Sequence, residues 1–305
     1  MPWRYIRCVS RRLAMPLVAA ALLSLAVGAP AASAARARYY LSLGDSIAQG
    51  MQPESAGITA NTNEGYADQL FAIARAPIPA LRLVKLGCGG ETTSSFLTGR
   101  GNSLSLLLGC NPAGGSQMAG AERFLRAHRR RGEVAFVTLD IGANDVVGCA
   151  SGATLDITCV TKGVDHINAN LPLIMRRLHR AGAAGVPMAS MTLYDPFLQL
   201  YLTPEDRSEA LLINGYAHNL NQALERLYRA GHFRIAHVDT AFRTYETSAT
   251  TTLAGQPQPV PVAVAEVCKL TWMCAPTPFG PNIHPNASGY GVIARAFAAA
   301  LGTLR

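Results

Sequence analysis

The order of apolar and polar residues along the chain predicts strands that alternate with helices. Short apolar runs bounded by glycine, proline or polar residues are typical of strands, and they span residues 39–43, 81–86, 133–139, 186–193 and 234–238. Between and after them, apolar residues recur at helical spacing, over 65–76, 118–128, 162–183, 204–229 and 287–301. We therefore predict an α/β fold, a three-layer α/β/α sandwich around a central, mostly parallel five-stranded sheet.

Two features interrupt this pattern. Pro172 lies near the middle of the predicted helix 162–183, where it should kink or split the helix because proline lacks the backbone N–H. Residues 240–283 are rich in threonine and proline, and we expect them to form mostly loop.

Candidate chemistry follows three successive predicted strands. Gly44-Asp45-Ser46 ends the first strand, Gly89-Gly90 follows the second, and Asn144 follows the third. Right-handed crossovers place the carboxyl ends of parallel strands at one edge of the sheet, where ligands bind. Gly-Asp-Ser alone is also an ordinary turn tripeptide, so the prediction of a site depends on this common placement.

A serine at such an edge needs a general base to become a nucleophile. Of the seven histidines, five lie on predicted helices or at their ends, and His237 lies within a predicted strand, where we expect a core residue. His284 differs because it precedes the last helix in a loop that Pro285 stiffens. We therefore take His284 as the candidate base, although an ordinary turn histidine is the alternative.

The first 34 residues have the layout of a secretory signal peptide. Four arginines precede an apolar run over 13–27, and Ala32-Ser33-Ala34 has the small-x-small pattern of a cleavage site. The run is short for an uncleaved membrane anchor, which is the alternative. We expect residues 1–34 to be removed near Ala34 and residues 35–305 to form one secreted domain. The Arg11-Arg12 pair leaves open whether export uses the general or the twin-arginine route.

Charge gives limited information about partners. The formal charge of +8 falls to +4 without residues 1–34, which hold four arginines and no acidic residue. The remainder is mildly basic and contains no dense Lys/Arg tract with interleaved aromatic residues. We expect no nucleic-acid binding, and a monomer by default.

Six cysteines remain when Cys8 of the leader is set aside. An even number in an exported chain indicates disulfides. Many pairings are open, and of these we expect sequence neighbours to pair: Cys88–Cys110, Cys149–Cys159 and Cys268–Cys274. A metal site is the alternative, but no Cys or His cluster has the spacing of zinc ligands.

Four short blocks together resemble the GDSL, or SGNH, hydrolase family. Gly-Asp-Ser-Ile at 44–47, Gly-Gly-Glu-Thr at 89–92, Gly-Ala-Asn-Asp at 142–145 and His-Pro at 284–285 occur in the family's order, and the resemblance spans residues 39–301. It implies a flavodoxin-like SGNH-hydrolase fold and no cofactor or metal. It also implies that Ser46 is the nucleophile, that His284 is the base, and that the oxyanion hole combines the N–H groups of Ser46 and Gly90 with the Asn144 amide. Gly89 is the alternative to Gly90.

One position departs from the family. Asp usually lies three residues before the histidine, but Pro281 occupies that place here. We expect a main-chain carbonyl from residues 279–281, such as that of Pro281, to orient His284. The Asn282 side chain is the rival orienting group, and Asp239 is a weaker third candidate.

The sequence therefore predicts a secreted serine esterase or lipase acting on small-molecule or lipid esters. The six cysteines also resemble those of exported actinobacterial GDSL esterases and lipases, whose three disulfides link near neighbours. Alternatives are a carbohydrate esterase that removes acetyl groups and a disulfide-stapled binding protein with a relict site. Apolar residues of the cysteine loops and of 104–108 could line an acyl pocket, although a core segment explains them equally well. Peripheral contact of the protein with a lipid surface is a further expectation. We expect Asp45 and Asp145 to be structural.

Overall fold

The structure is a computed structural model that describes residues 36–54, 57–100, 115–152 and 154–304. The predicted signal peptide, Cys110 and the 104–108 segment lie outside these residues. Within the described ranges, no helix is both long enough and apolar enough to cross a membrane.

A parallel five-stranded sheet forms the centre of the fold. Its strands are β1 (Arg38–Gly44), β2 (Leu81–Lys85), β3 (Val134–Asp140), β4 (Met188–Met191) and β5 (Arg234–Ala236), in the spatial order β2-β1-β3-β4-β5. All neighbouring strands in this sheet are parallel, which confirms the predicted fold class. The chain places β2 on one side of β1 and β3 on the other, so the strand order reverses at β1. Crevices for ligands form at such a switch point, beyond the carboxyl ends of the strands.

Helices flank the sheet, and their bounds agree with most of the predicted periodicity. They are α1 (Ser46–Gln49), α2 (Tyr66–Arg75), α3 (Thr93–Thr98), α4 (Gln117–Ala127), α5 (Ile157–Ala181), α6 (Arg207–Ala230), α7 (Val238–Ala241), α8 (Val262–Leu270) and α9 (Ala287–Leu301). Single turns of 3₁₀ helix cover Ala143–Asp145, Val147–Cys149 and Pro204–Asp206, and a longer 3₁₀ segment covers Pro196–Leu202.

Alternate residues of the strands face two separate apolar layers. Tyr40 and Phe136 pack with α2 and α9 on one face. Leu41, Leu43 and Val137 pack with α4, α5 and α6 on the other. Because successive strand side chains point to opposite faces, one apolar strand contributes to both layers. This burial on both sides fixes the strand ends that carry the candidate site.

Two elements differ in detail from what the sequence pattern predicts. Helix α5 is not split, because it continues through Pro172. The residue that would accept the missing hydrogen bond, Asn168, is exposed, so water can satisfy its carbonyl. Residues 240–283 lie mostly outside helices and strands, as predicted, but they also contain α8, whose apolar sequence Val-Ala-Val-Ala-Glu-Val-Cys-Lys-Leu is mostly buried. A helix that is apolar on most sides lacks the amphipathic period that would identify it.

Two of the predicted disulfides lie among the described residues. Cys149–Cys159 and Cys268–Cys274 have Cα separations of 5.5 and 4.9 Å, and each closes a short loop. Cys88 is also disulfide-bonded, while its predicted partner Cys110 lies outside the described residues. His237 is not a core residue as predicted: it follows β5, is about half exposed and pairs with Glu225 at 3.2 Å.

Candidate active site

Ser46 is held in a tight turn at the carboxyl end of β1. Gly44 has φ +137°, and a Cβ there would lie 2.1 Å from the carbonyl oxygen of Asp140, so only glycine fits this position. Asp45 caps α1, since its Oδ1 accepts a hydrogen bond from the N–H of Ile47 at 2.9 Å. Ser46 is the first residue of that short helix and is largely buried. The turn therefore aims the serine at the edge of the sheet where β1 and β3 end.

Asp140, the last residue of β3, anchors this turn, and no pattern in the sequence indicates that role. Its buried carboxylate accepts hydrogen bonds from the N–H of Ala48 at 3.1 Å and from the hydroxyl of Tyr66. Asp45 lies against it. Burial raises the pKa of Asp45 to about 6 and, together with the charge of Asp45, holds the pKa of Asp140 well above its usual range. The two carboxyl groups form one interacting pair beneath the serine.

Asn144 lies on the turn that follows β3. Its Nδ2 donates to Asp45 Oδ2 at 3.1 Å and to the carbonyl oxygen of Glu91 at 3.0 Å. The amide is therefore fixed between the serine turn and the glycine-rich loop. An oxyanion would share or replace one of these two acceptors, because the amide has two N–H donors.

The glycine-rich loop after β2 meets the same place. Gly90 has φ +71°, and it immediately precedes Glu91, whose carbonyl Asn144 contacts. Asp145 ties this loop to the one after β3, because its carboxylate accepts from the N–H and the hydroxyl of Thr93 at 2.8 and 2.7 Å. Asp45 and Asp145 thus make the side-chain-to-backbone bonds expected of them.

His284 is oriented by Asn282. The Asn282 Oδ1 accepts a hydrogen bond from the backbone N–H of His284 at 3.0 Å and lies 2.7 Å from the ring Nδ1. A backbone N–H can only donate, so the atom facing it is an oxygen, and Nδ1 must carry the ring proton. The Asn282 Nδ2 donates to Thr59 Oγ1 at 2.9 Å. A short antiparallel pair, Thr271–Trp272 with Asn282–Pro285, carries this segment.

The ring's other nitrogen, Nε2, is buried and has no hydrogen-bond partner among the described residues. Burial lowers the pKa of His284 to about 4, so the ring is neutral at neutral pH. With Nδ1 protonated, Nε2 presents an unused lone pair. This is the state that a general base requires before reaction.

In the part of the chain that the structure describes, the other orienting candidates make no hydrogen bond to the His284 ring. Among the described residues, no carbonyl of 279–281 accepts from the ring, and Pro281 is exposed. The physical reason is local: an Asx turn from Asn282 to its second following residue brings a side-chain oxygen to the ring first. Asp239 is occupied elsewhere, since its Oδ1 accepts from Thr192 Oγ1 at 2.7 Å.

Ser46 and Asn144 line one small cleft of about 60 Å³, together with Ile283, the neighbour of His284. Helix α1 contacts the Asn282–Pro285 strand. Among the described residues, the Ser46 hydroxyl makes no hydrogen bond, so no bond joins it to the His284 ring in this structure. Catalytic hydrogen bonds are often longer before substrate binds. The arrangement can hold a carbonyl between a hydroxyl and amide donors.

The chain matches a model of the GDSL-like Lipase/Acylhydrolase family over residues 42–292. The extracellular lipase from Streptomyces rimosus has a similar fold, with 17% identity, a TM-score of 0.51, and coverage of 87% of this chain and 100% of the lipase chain. An acetyl xylan esterase from Geobacillus stearothermophilus (16% identity, TM-score 0.49, 88% and 95% covered) and a phospholipase A1 from Streptomyces albidoflavus (18%, 0.49, 87% and 99%) also match. No curated protein matches the chain.

Proposed function

Because this chain belongs to the GDSL-like lipase/acylhydrolase family, we propose that it is a secreted serine ester hydrolase that needs no cofactor. Ser46 is the nucleophile, His284 is the general base, and small-molecule or lipid esters are the substrates. The observation that carries the proposal is the Asn282–His284 contact of 2.7 Å, in which the amide oxygen accepts the Nδ1–H bond and leaves the Nε2 lone pair unused.

The reaction would proceed in two acyl-transfer steps. The Ser46 oxygen attacks the ester carbonyl while its proton moves to Nε2 of His284, which then protonates the departing alcohol. Water then attacks the carbonyl of the acyl-serine ester and gives a proton to the same nitrogen. Nε2 passes that proton to the departing Ser46 oxygen, which releases the acid and restores free Ser46. In each step the neutral Asn282 oxygen accepts the Nδ1–H bond, which holds the ring in place and partly stabilises its positive charge. Asn282 is therefore a positioning residue in place of the family's aspartate.

The oxyanion hole would combine the N–H groups of Ser46 and Gly90 with the amide of Asn144. The fixed position of the amide supports this role, because a donor that is already held in place loses little freedom when charge develops. Removing one such donor typically costs about 100- to 1,000-fold in kcat. The left-handed backbone of Gly90 leaves no Cβ on that side to block approach.

A fluorophosphonate probe and an ester assay test the proposal directly. Wild type should be labelled at Ser46 and should hydrolyse p-nitrophenyl acetate, whereas Ser46→Ala should lose both. His284→Ala should retain the fold but lose most of the activity. Ser288→Ala, an exposed serine on α9, is the matched control and should behave as wild type. An unlabelled wild-type protein without esterase activity would reject the hydrolase and favour the relict binding protein.

A further inference from the structure

A larger cavity opens directly beside the Ser46 cleft. It has a volume of about 420 Å³, against about 60 Å³ for the cleft itself. The two share part of their walls, so a group bound at Ser46 can extend from one into the other. The shared residues are Ala143, Val147, Leu193 and Pro196.

Apart from the residues that follow β3 and β4, the walls of this cavity come from three parts of the chain. One wall is the N-terminal half of α5, and the opposite wall is the face of α6 from Ile213 to Leu227. The third is the hairpin formed by Ala150–Ser151 and Thr154–Leu155, which the Cys149–Cys159 disulfide closes. None of these elements carries the candidate catalytic residues.

The cavity offers an apolar interior and a polar rim. Fifteen of its twenty lining residues are apolar. Asn168, Asn219 and Arg226 are exposed, so their polar ends lie towards solvent. Asp195 is buried, but its carboxylate is already occupied by the N–H of Phe197 at 2.9 Å and by Asn214 Nδ2 at 3.0 Å. Apart from the hydroxyl of the half-buried Tyr216, the interior therefore offers few free groups for sugar hydroxyls, and burying those hydroxyls without partners would be unfavourable.

We propose that this cavity, the acyl groove, binds the hydrocarbon chain of a medium-chain fatty acyl ester whose carbonyl lies at Ser46. The inference rests on the proposed function and names the substrate class of that site. A methylene group takes roughly the 30 Å³ that a water molecule has in the liquid. An acyl chain of about ten carbons then takes about 300 Å³, which fits within the 420 Å³ of the groove. An acetyl group would fill only the small cleft and leave the groove empty.

The test is a p-nitrophenyl ester series from acetate to palmitate, assayed below micelle formation with wild type and groove variants. Each methylene that enters the groove should raise kcat/KM by up to about fourfold, with the maximum near ten carbons and a decanoate value at least tenfold above acetate. Ala223→Phe puts a phenyl ring into the groove from a half-buried position on α6. It should lower kcat/KM for decanoate by at least tenfold and leave acetate within about twofold.

Two further variants keep the test decisive. Ala217→Phe blocks the same wall at another half-buried position and should reproduce the effect if Ala223→Phe does not fold. Ala169→Phe, at an exposed position of α5 outside the groove, adds the same ring and should leave the whole series unchanged.

The failures of the two proposals can be distinguished. If wild type hydrolyses acetate and its rate falls steadily with chain length, the acyl groove is wrong and the hydrolase stands. If Ala223→Phe and Ala217→Phe lower acetate and decanoate equally, or lower neither, the acyl groove is also wrong. If no ester of the series is hydrolysed and Ser46 resists the fluorophosphonate, the hydrolase proposal itself fails.

Discussion

Replacing Asn282 with aspartate should raise the pH at which the enzyme loses activity on acidification. In the structure a neutral amide oxygen lies 2.7 Å from Nδ1 of His284, and burial lowers the pKa of that ring to about 4. The acid limb of kcat/KM for wild type should therefore lie near pH 4, because the neutral ring is the base and activity is lost as the pH falls through its pKa.

The size of the shift follows from the contact distance. A carboxylate at the same place puts an opposite charge within hydrogen-bonding distance of the ring, which typically raises a pKa by about 1–3 units. The acid limb of Asn282→Asp should then move to about pH 5–7. Asn282→Ala, which leaves the Nδ1–H without this acceptor, should instead reduce kcat/KM by about 10- to 100-fold across the pH range, because a lost hydrogen bond to a charged ring is typically worth about 1.5–3 kcal/mol.

The assay is the pH profile of kcat/KM on a short p-nitrophenyl ester, read after quenching at alkaline pH. Asn63→Asp is the matched control, because it adds the same charge at an exposed position of the loop after Thr59–Ala60 and should leave the limb in place. An acid limb that is the same in wild type and Asn282→Asp would refute the proposed orientation. Full activity in Asn282→Ala would do so as well.

Three other changes test the frame around the site. Asp140→Asn should lessen the loss of unfolding free energy between about pH 5 and pH 8. In wild type the buried carboxyl pair keeps its proton in the native state above the unfolded pKa near 4, so stability is lost as the pH rises through the raised native pKa. Urea unfolding at both pH values measures this, and equal losses in both proteins would contradict it. Replacing both Cys149 and Cys159 with serine should lower the free energy of unfolding by about 2–3 kcal/mol and raise KM for decanoate more than for acetate. Parallel changes in the two KM values would count against a groove wall held by that disulfide. Gly44→Ala should lower the free energy of unfolding, measured by calorimetry, by about 3 kcal/mol or more, because its Cβ meets the backbone of Asp140 at 2.1 Å. Gly185→Ala, with φ +80° and no atom within 4 Å of the new Cβ, should lower it by about 1 kcal/mol. Equal losses would mean that movement of the backbone relieves the clash at Gly44.

The sequence was sufficient for the sheet and for the shared position of Ser46 and Asn144. Strands buried on both faces leave continuous apolar runs, and the topology of parallel strands then brings their carboxyl ends together. That rule needs no knowledge of packing. It explains why residues almost a hundred positions apart could be expected at one cleft.

Other features depend on contacts that no local pattern encodes. In the sequence, Asp140 only marks the end of a predicted strand. It anchors the serine turn because α1 packs close to it in the folded protein. Asn282 precedes the histidine by two residues rather than three, and its role depends on an Asx turn and on Thr59 from a distant segment. The groove between α5 and α6 depends on how two helices pack, which their separate amphipathic patterns leave open.

The candidate reacting groups and most of the groove wall lie on different elements of the fold, and this separation has a practical consequence. The candidate reacting groups lie on turns at the ends of strands and on the Asn282–Pro285 segment, whereas most of the groove wall lies on α5, α6 and one stapled hairpin. A combinatorial library confined to the inner face of α6 could therefore retune which esters are accepted while the chemistry stays constant. In such a library, turnover of acetate would serve as an internal standard for an intact reaction centre, and only the ratio of long to short substrates would report the remodelling.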